Sequence, residues 1–141
     1  MTEQSAHDYP PPVNRLLTYG DCRDRPGWPN YLKLGLGPEH TSDLIRMATD
    51  DNLHQAMSDS REVWAPIHAW RALGQLHAAA AIAPLLGLLH RIDDDNDDWV
   101  GEDLPRALAL IGPAAIAPLA AYLADEQHGL YARVAASRAL Q

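Results

Sequence analysis

The sequence contains one cysteine, one lysine and no phenylalanine among its 141 residues. A single cysteine cannot form an intramolecular disulfide, so a disulfide framework is excluded. No apolar run approaches the ~20 residues that a membrane-spanning helix needs. Residues 1–8 also lack the basic and apolar regions of a secretory signal. These absences predict a soluble, cytoplasmic protein without membrane partners.

Positive charge is scarce as well. The chain has 11 Lys and Arg residues against 19 Asp and Glu residues, which gives a formal net charge of -8. Nucleic-acid grooves and anionic membrane surfaces both depend on clustered Lys and Arg, so we expect no nucleic-acid partner. Hydrophobic residues make up 47% of the chain, which is enough to build a packed core in a domain of this length.

The N-terminal part divides into two segments by composition. Residues 1–12 are polar and end in Tyr9-Pro10-Pro11-Pro12, which predicts a flexible Pro-rich arm. Residues 13–37 carry leucine, tyrosine and tryptophan side chains that glycine and proline interrupt at short intervals. This punctuation predicts an N-terminal cap of short helices that covers one end of the following region.

Residues 38–141 are repetitive. The phrase Ala81-Ile82-Ala83-Pro84-Leu85 returns 34 positions later at residues 115–119, and phrases related to 69–74 occur at 107–112 and 136–140. Two alternating phrases with helical spacing predict a unit of two helices, repeated over 38–77, 78–112 and 113–141. Gly74 and Gly112 are the last residues of the second phrase, and we expect each to lie just after a helix, where a left-handed residue ends it. We therefore expect an all-α fold with one continuous core through three stacked helix pairs.

The repeated phrases resemble a known family. The Ala-Ile-x-Pro-Leu phrase, followed by the sequence from Tyr131 to Leu140, is similar to the HEAT-like repeats named after the phycobilisome lyases. The segment from Val13, with residues 64–70, also resembles the N-terminal half of longer bacterial HEAT-repeat proteins of unassigned function. The resemblance implies a right-handed α-α superhelix, a HEAT-like solenoid of about three helix pairs with an N-terminal cap.

The acidic run Asp93–Asp98 suggests calcium at first sight. An EF-hand loop needs Gly at its sixth position and Glu at its twelfth, and neither register of this run provides them. A solvated loop whose last carboxylates lie at the N-terminus of the next helix is the favoured interpretation, while cation binding by the loop stays open. The seven histidines form no His-x-x-x-His pair, so we expect no bound metal and no cofactor.

Candidate partner-binding residues lie at outward positions of the predicted second helices. Tryptophan and arginine are frequent anchors of protein interfaces, and they recur here. The candidates are Trp64, His68, Arg71, Arg106, Arg133 and Arg138. They form either a face for another protein with an acidic or extended segment, or ordinary salt bridges with acids such as Glu62, Glu102 and Asp103.

These observations predict a non-catalytic scaffold for protein–protein interaction that uses the concave face of the solenoid. No nucleophile elbow, phosphate-binding glycine loop or zinc-protease helix occurs in the sequence, so we expect no catalytic residues. The resemblance leaves two alternatives, a bilin lyase-like enzyme subunit and a HEAT-like DNA-binding protein, and the acidic charge disfavours the second. The apolar last helix, with Leu130 and Val134, predicts a homodimer through this uncapped end or a chain that continues.

Overall fold

The chain is all-α. A computed structural model describes residues 9–24, 27–57 and 59–141, and within these ranges it contains helices and turns without any strand. The α-helices are α1 (Thr41–Ala48), α2 (Asp51–His54), α3 (Ala65–Gln75), α4 (Ile82–Leu86), α5 (Arg91–Asp95), α6 (Asp98–Ile111), α7 (Ile116–Ala124) and α8 (Leu130–Ala139).

Short 3-10 turns lead into four of these helices. They span Pro38–His40 before α1, Glu62–Trp64 before α3, Ala79–Ala81 before α4 and Pro113–Ala115 before α7. Three further 3-10 turns form the N-terminal part of the fold: Val13–Thr18, Cys22–Asp24 and Tyr31–Leu34. Frequent proline and glycine in these segments explains why the turns do not extend into longer helices.

The helices pack in an order that follows the chain. Helix α3 packs against α1 and α6, α6 packs against α8, and α7 packs against α8 and α4. Large side chains from successive helices, such as Trp70, Leu104 and Leu119, are almost completely buried. The result is one apolar core to which successive helices contribute.

Small residues bring α3 and α6 together. Ala69, Ala72 and Ala107 are fully buried, and a Cβ added at Gly74 would lie 3.0 Å from the carbonyl oxygen of Ala107. The predicted role of Gly74 as a left-handed helix end is therefore wrong, because α3 continues through it and His77, with φ 55°, holds the left-handed position. Gly112 ends α6 as predicted, but its φ of 109° and ψ of -160° place it in an extended conformation and not in the left-handed one that we expect there.

The N-terminal segment packs on the helices. Tyr9 is buried, its hydroxyl donates to Asp50 Oδ2 at 2.6 Å, and the Arg46 guanidinium lies 4.1 Å from the centre of its ring. Residues 9–12 are thus attached to the fold, in contrast to the flexible arm that we expect there. Residues 1–8 of the predicted arm lie outside the described residues.

The acidic run supplies caps for two helices. Asp97 Oδ1 accepts hydrogen bonds from the backbone N–H groups of Trp99 and Val100, both at 3.1 Å, at the start of α6. The Asp93 carboxylate accepts from the N–H groups of Tyr131 and Ala132, at 3.0 and 2.9 Å, at the start of α8. The prediction that carboxylates of this run lie at a helix N-terminus is confirmed. Within the described ranges no group of three or more His, Cys, Asp or Glu residues is arranged to hold a metal ion.

No single helix in the described part of the chain has the length and apolar character needed to cross a membrane. Helix α6 together with residues Pro113–Ala124 meets the criterion by length and composition alone, as a pair bent by 116°. Leu104, Leu108 and Leu119 of this pair are buried in the core described above.

Two glycine substitutions are expected to change stability in opposite directions. Gly112 has φ 109° and ψ -160°, a conformation that is almost restricted to glycine, so Gly112→Ala should lower the free energy of unfolding by about 1–3 kcal/mol. Gly101 lies inside α6, and an added Cβ would meet Ile92 at an ordinary 3.9 Å. Gly101→Ala should therefore raise the free energy of unfolding by about 0.5–1 kcal/mol. Urea unfolding followed by circular dichroism measures both, and an unchanged or raised value for Gly112→Ala would contradict the first expectation.

Candidate functional site

The predicted binding residues do not share one exposed face. His68 and Arg71 are buried, with 0% and 4% of their surface exposed, so their predicted outward position is wrong. The reason is that the N-terminal segment covers this side of α3. Gln75, one turn further along α3, holds the segment by accepting from the N–H of Tyr31 at 2.9 Å and donating to the Pro29 carbonyl at 2.8 Å.

His68 is part of a buried polar network. Its Nε2 lies 2.7 Å from the Gly20 carbonyl oxygen, and its Nδ1 lies 2.7 Å from the Tyr31 hydroxyl. Because a carbonyl oxygen can only accept, Nε2 carries a hydrogen, and in the neutral ring Nδ1 then accepts from Tyr31. The imidazole thus joins two points of the N-terminal segment to α3.

Arg71 extends this polar network from α3 to Asp103 of α6. Its Nε donates to Asp103 Oδ2 at 2.7 Å, and both side chains are buried. Burial lowers the pKa of Arg71, but hydrogen bonds with Asp103 and Tyr31 outweigh it and hold the pKa above its ordinary value. Its Nη1 has no hydrogen-bond partner among the described residues, and the guanidinium lies 5.0 Å from the centre of the Trp28 ring. The alternative prediction of a salt bridge with an acid such as Asp103 is confirmed for Arg71, but the predicted surface position is wrong because the pair is buried.

Removing one member of this ion pair should lower the free energy of unfolding more than replacing both members does. Asp103→Leu leaves the Arg71 guanidinium buried without a counter-charge, so we expect a loss of about 3–5 kcal/mol in the free energy of unfolding. The double variant Arg71→Met with Asp103→Leu removes both charges and should be clearly more stable than Asp103→Leu alone. Asp98→Leu, at an exposed position of the same helix, is the control. A double variant less stable than the single one would contradict the argument.

Alkaline pH should weaken the fold through Tyr31. Burial raises the pKa of Tyr31 above its ordinary value, with Arg71 opposing. Above about pH 10 the unfolded state therefore loses the tyrosine proton before the folded state, and the free energy of unfolding falls as pH rises. Tyr31→Phe should be less stable at neutral pH but lose less stability between neutral and alkaline pH. Urea titrations at a series of pH values measure this, and equal slopes for the two proteins would refute it.

Trp64, another predicted residue, lines an open cleft. The cleft has a volume of about 230 Å³ and lies where α2, the Glu62–Trp64 turn and the first half of α3 face the start of α6. We name it the tryptophan cleft. Of the described residues, its lining comprises His54, Val63, Trp64, Pro66, Ile67, Trp70, Asp97 and Trp99.

Three indole rings give the cleft its shape. Trp70 is almost fully buried and its Nε1–H donates to the Ala48 carbonyl at 3.0 Å, so it forms a fixed wall. Trp64 and Trp99 are partly exposed and meet edge to face, with ring centres 5.2 Å apart and planes at 89°. The guanidinium of Arg23 lies 5.3 Å from the centre of the Trp64 ring. Two perpendicular aromatic walls are thus held at the open side of the cleft.

The polar end of the tryptophan cleft consists of Asp97 and His54. Asp97 Oδ1 is engaged as the cap of α6, and Oδ2 lies 3.6 Å from His54 Nε2. This separation exceeds a hydrogen bond but brings an ion pair into range when His54 is protonated. The two side chains are 12% and 31% exposed, so a carboxylate oxygen and an imidazole are both accessible.

Sequence reasoning missed most of this site. It singled out Trp64 and did not connect it with His54, Asp97 or Trp99, because these residues lie on different elements: α2, the Glu62–Trp64 turn and the start of α6. One available signal was the clustering of rare residues. Three of the four tryptophans in the chain line this one cleft.

The remaining predicted residues lie elsewhere. The exposed Arg106 places its guanidinium 4.5 Å from the centre of the Trp28 ring. Arg133 and Arg138 line a groove of about 400 Å³ beside α8, where Leu130 is 62% exposed. Arg133 Nε donates to the Leu123 carbonyl at 2.8 Å, and Arg138 Nη1 lies 3.5 Å from the carbonyl of Gly101. The structure thus groups Arg133 with Arg138 and separates both from Trp64.

Comparison with known proteins provides no relative. No family model matches the chain, and no curated protein and no solved structure matches it either. The geometry of the tryptophan cleft is therefore the basis on which a function can be assigned.

Proposed function

We propose that this chain is a non-catalytic protein-interaction module that receives a side chain of a partner protein in the tryptophan cleft. The observation that carries the proposal is the open cleft of about 230 Å³ with two partly exposed tryptophans and a third buried beneath them. Tryptophan is among the residues most enriched at the energetic centres of interfaces. Its large ring contributes much contact area at a small cost in conformational entropy.

The size of the cleft favours a protein side chain over a free cofactor. Sites for drug-sized molecules have volumes of roughly 300–1,000 Å³ and enclose most of the ligand. A cleft of about 230 Å³ that opens to the surface accommodates one side chain while the rest of its partner remains outside. Anchor residues of protein interfaces bind in this way, with one side chain inserted into a small cleft of the other protein.

The lining favours binding over catalysis. Of the eight described lining residues, His54 and Asp97 are the two with ionisable side chains, and no serine, threonine, cysteine or lysine is among them. Asp97 is already engaged as a helix cap, and its second oxygen lies 3.6 Å from His54. This pair has no nucleophile within the lining to activate.

The scaffold that we propose around the cleft is a HEAT-like solenoid, a right-handed α-α superhelix of about three helix pairs. The successive contacts of α3 with α6 and of α6 with α8, together with α4 against α7, support a stack of helix pairs. The N-terminal segment covers the side of α3 on which we expect the concave binding face. We therefore assign partner binding to the tryptophan cleft, between the first and second layers.

Selection of peptides tests the proposal. A phage library of random peptides is selected on the purified protein, and enriched peptides are measured by calorimetry against variants. Trp64→Ala and Trp99→Ala should each weaken binding at least tenfold, because each removes an aromatic wall of the anchor site. Tyr131→Ala is the matched control, since Tyr131 is a 62% exposed aromatic residue outside the cleft lining.

The folded state of each variant is verified by circular dichroism before binding is measured. Enriched peptides that bind the two tryptophan variants as tightly as the wild-type protein would show that the cleft is not the binding site. Failure of the library to enrich any peptide would also count against the proposal.

A further inference from the structure

We propose that the tryptophan cleft recognises a cation, namely the guanidinium group of an arginine side chain in the partner. This inference rests on the proposed function and specifies its ligand. Three features support it: the aromatic walls, the carboxylate at the polar end and the charge around the cleft.

The walls suit a flat cation on an apolar stem. The face of an indole ring carries negative electrostatic potential, and tryptophan is the strongest of the aromatic residues in attracting a cation. Trp64 and Trp99 are in edge-to-face contact, with ring centres 5.2 Å apart, so a group in the cleft lies beside this pair and contacts the ring surface that the pair leaves open. Guanidinium groups already lie over aromatic rings elsewhere in this molecule, as Arg106 does over Trp28 at 4.5 Å. Among the described residues, none lies over Trp99.

The carboxylate provides an acceptor for the same ligand. Both hydrogen bonds of the helix cap go to Asp97 Oδ1, so Oδ2 keeps acceptor capacity toward the cleft. Its distance of 3.6 Å to His54 Nε2 leaves that capacity unused by a direct hydrogen bond. A guanidinium N–H donating to Oδ2 would form a charge-assisted hydrogen bond, which is stronger than a neutral one.

The surrounding charge is also negative. Asp94, Asp95 and Asp98 are exposed on the same segment as Asp97, and the whole chain carries a formal net charge of -8. The positive N-terminus of α6 offsets part of the charge on Asp97 and on Asp98, which lies in the first turn of the helix. Residues 93–98 contain no Lys or Arg, so the segment as a whole stays negative. A cationic side chain is thus attracted toward the cleft, whereas an anionic one is repelled.

The experiment compares three small probes that differ in charge and shape. Nα-acetyl-arginine amide is the cationic probe, Nα-acetyl-citrulline amide has nearly the same shape without the charge, and Nα-acetyl-leucine amide is purely apolar. Binding is followed by NMR through the indole N–H signals of Trp64 and Trp99, which are assigned with Trp64→Phe and Trp99→Phe variants. We expect saturable shifts with the arginine probe and at least threefold weaker binding of the citrulline and leucine probes.

Asp97→Asn isolates the charge, because an asparagine oxygen still accepts the cap hydrogen bonds of α6. We expect the preference for the arginine probe over the citrulline probe to disappear in this variant and to persist in Asp98→Asn. Equal or tighter binding of a neutral probe, or no shift with the arginine probe, overturns the inference. Neither result affects the proposed function, which fails when the library enriches no peptide or when the enriched peptides bind independently of Trp64 and Trp99.

Discussion

The buried ion pair between Arg71 and Asp103 is the contact on which the geometry of the molecule depends. Helices α3 and α6 meet through alanine and glycine, and such small side chains have little shape with which to define how two helices are aligned. The 2.7 Å hydrogen bond between Arg71 and Asp103 specifies that alignment, because sliding or rotating either helix would leave a charge buried without a partner. Trp64 lies just before α3 and Trp99 in the first turn of α6. The ion pair therefore also determines how the two walls of the tryptophan cleft face each other.

The same network explains why the binding surface is not where the sequence places it. His68 and Arg71 are polar residues on one face of α3, and such a face normally points to solvent or to a partner. Here the chain provides its own partner: the Gly20 carbonyl and the Tyr31 hydroxyl engage His68, and Trp28 lies against Arg71. Trp64 and Trp99, where the start of α3 faces the start of α6, stay partly accessible.

Local patterns and long-range contacts differed in how well they could be predicted. The repeated phrases predicted all-helical structure, and Gly112 was identified as a helix end because a positive φ leaves a local sequence signal. Gly74 was misinterpreted, since a close approach to Ala107 and a helix end both select glycine and cannot be distinguished without the second helix. The burial of Arg71 depends on Asp103, which is 32 positions away, and on the N-terminal segment that covers this side of α3. The tryptophan cleft was missed for the same reason: its lining comes from three helices whose proximity has no local signature.

Asp93 affects how the molecule unfolds, because it connects two helices. It belongs to α5, yet its carboxylate accepts from the N–H groups of Tyr131 and Ala132 in the first turn of α8, whose N-cap residue, Gly129, has no side chain. In the opposite direction, Arg91 of α5 pairs with Asp51 of α2 at 2.7 Å. Opening of α8 away from α5 thus costs two cap hydrogen bonds in addition to apolar contacts, and opening of α2 away from α5 costs the Arg91–Asp51 pair.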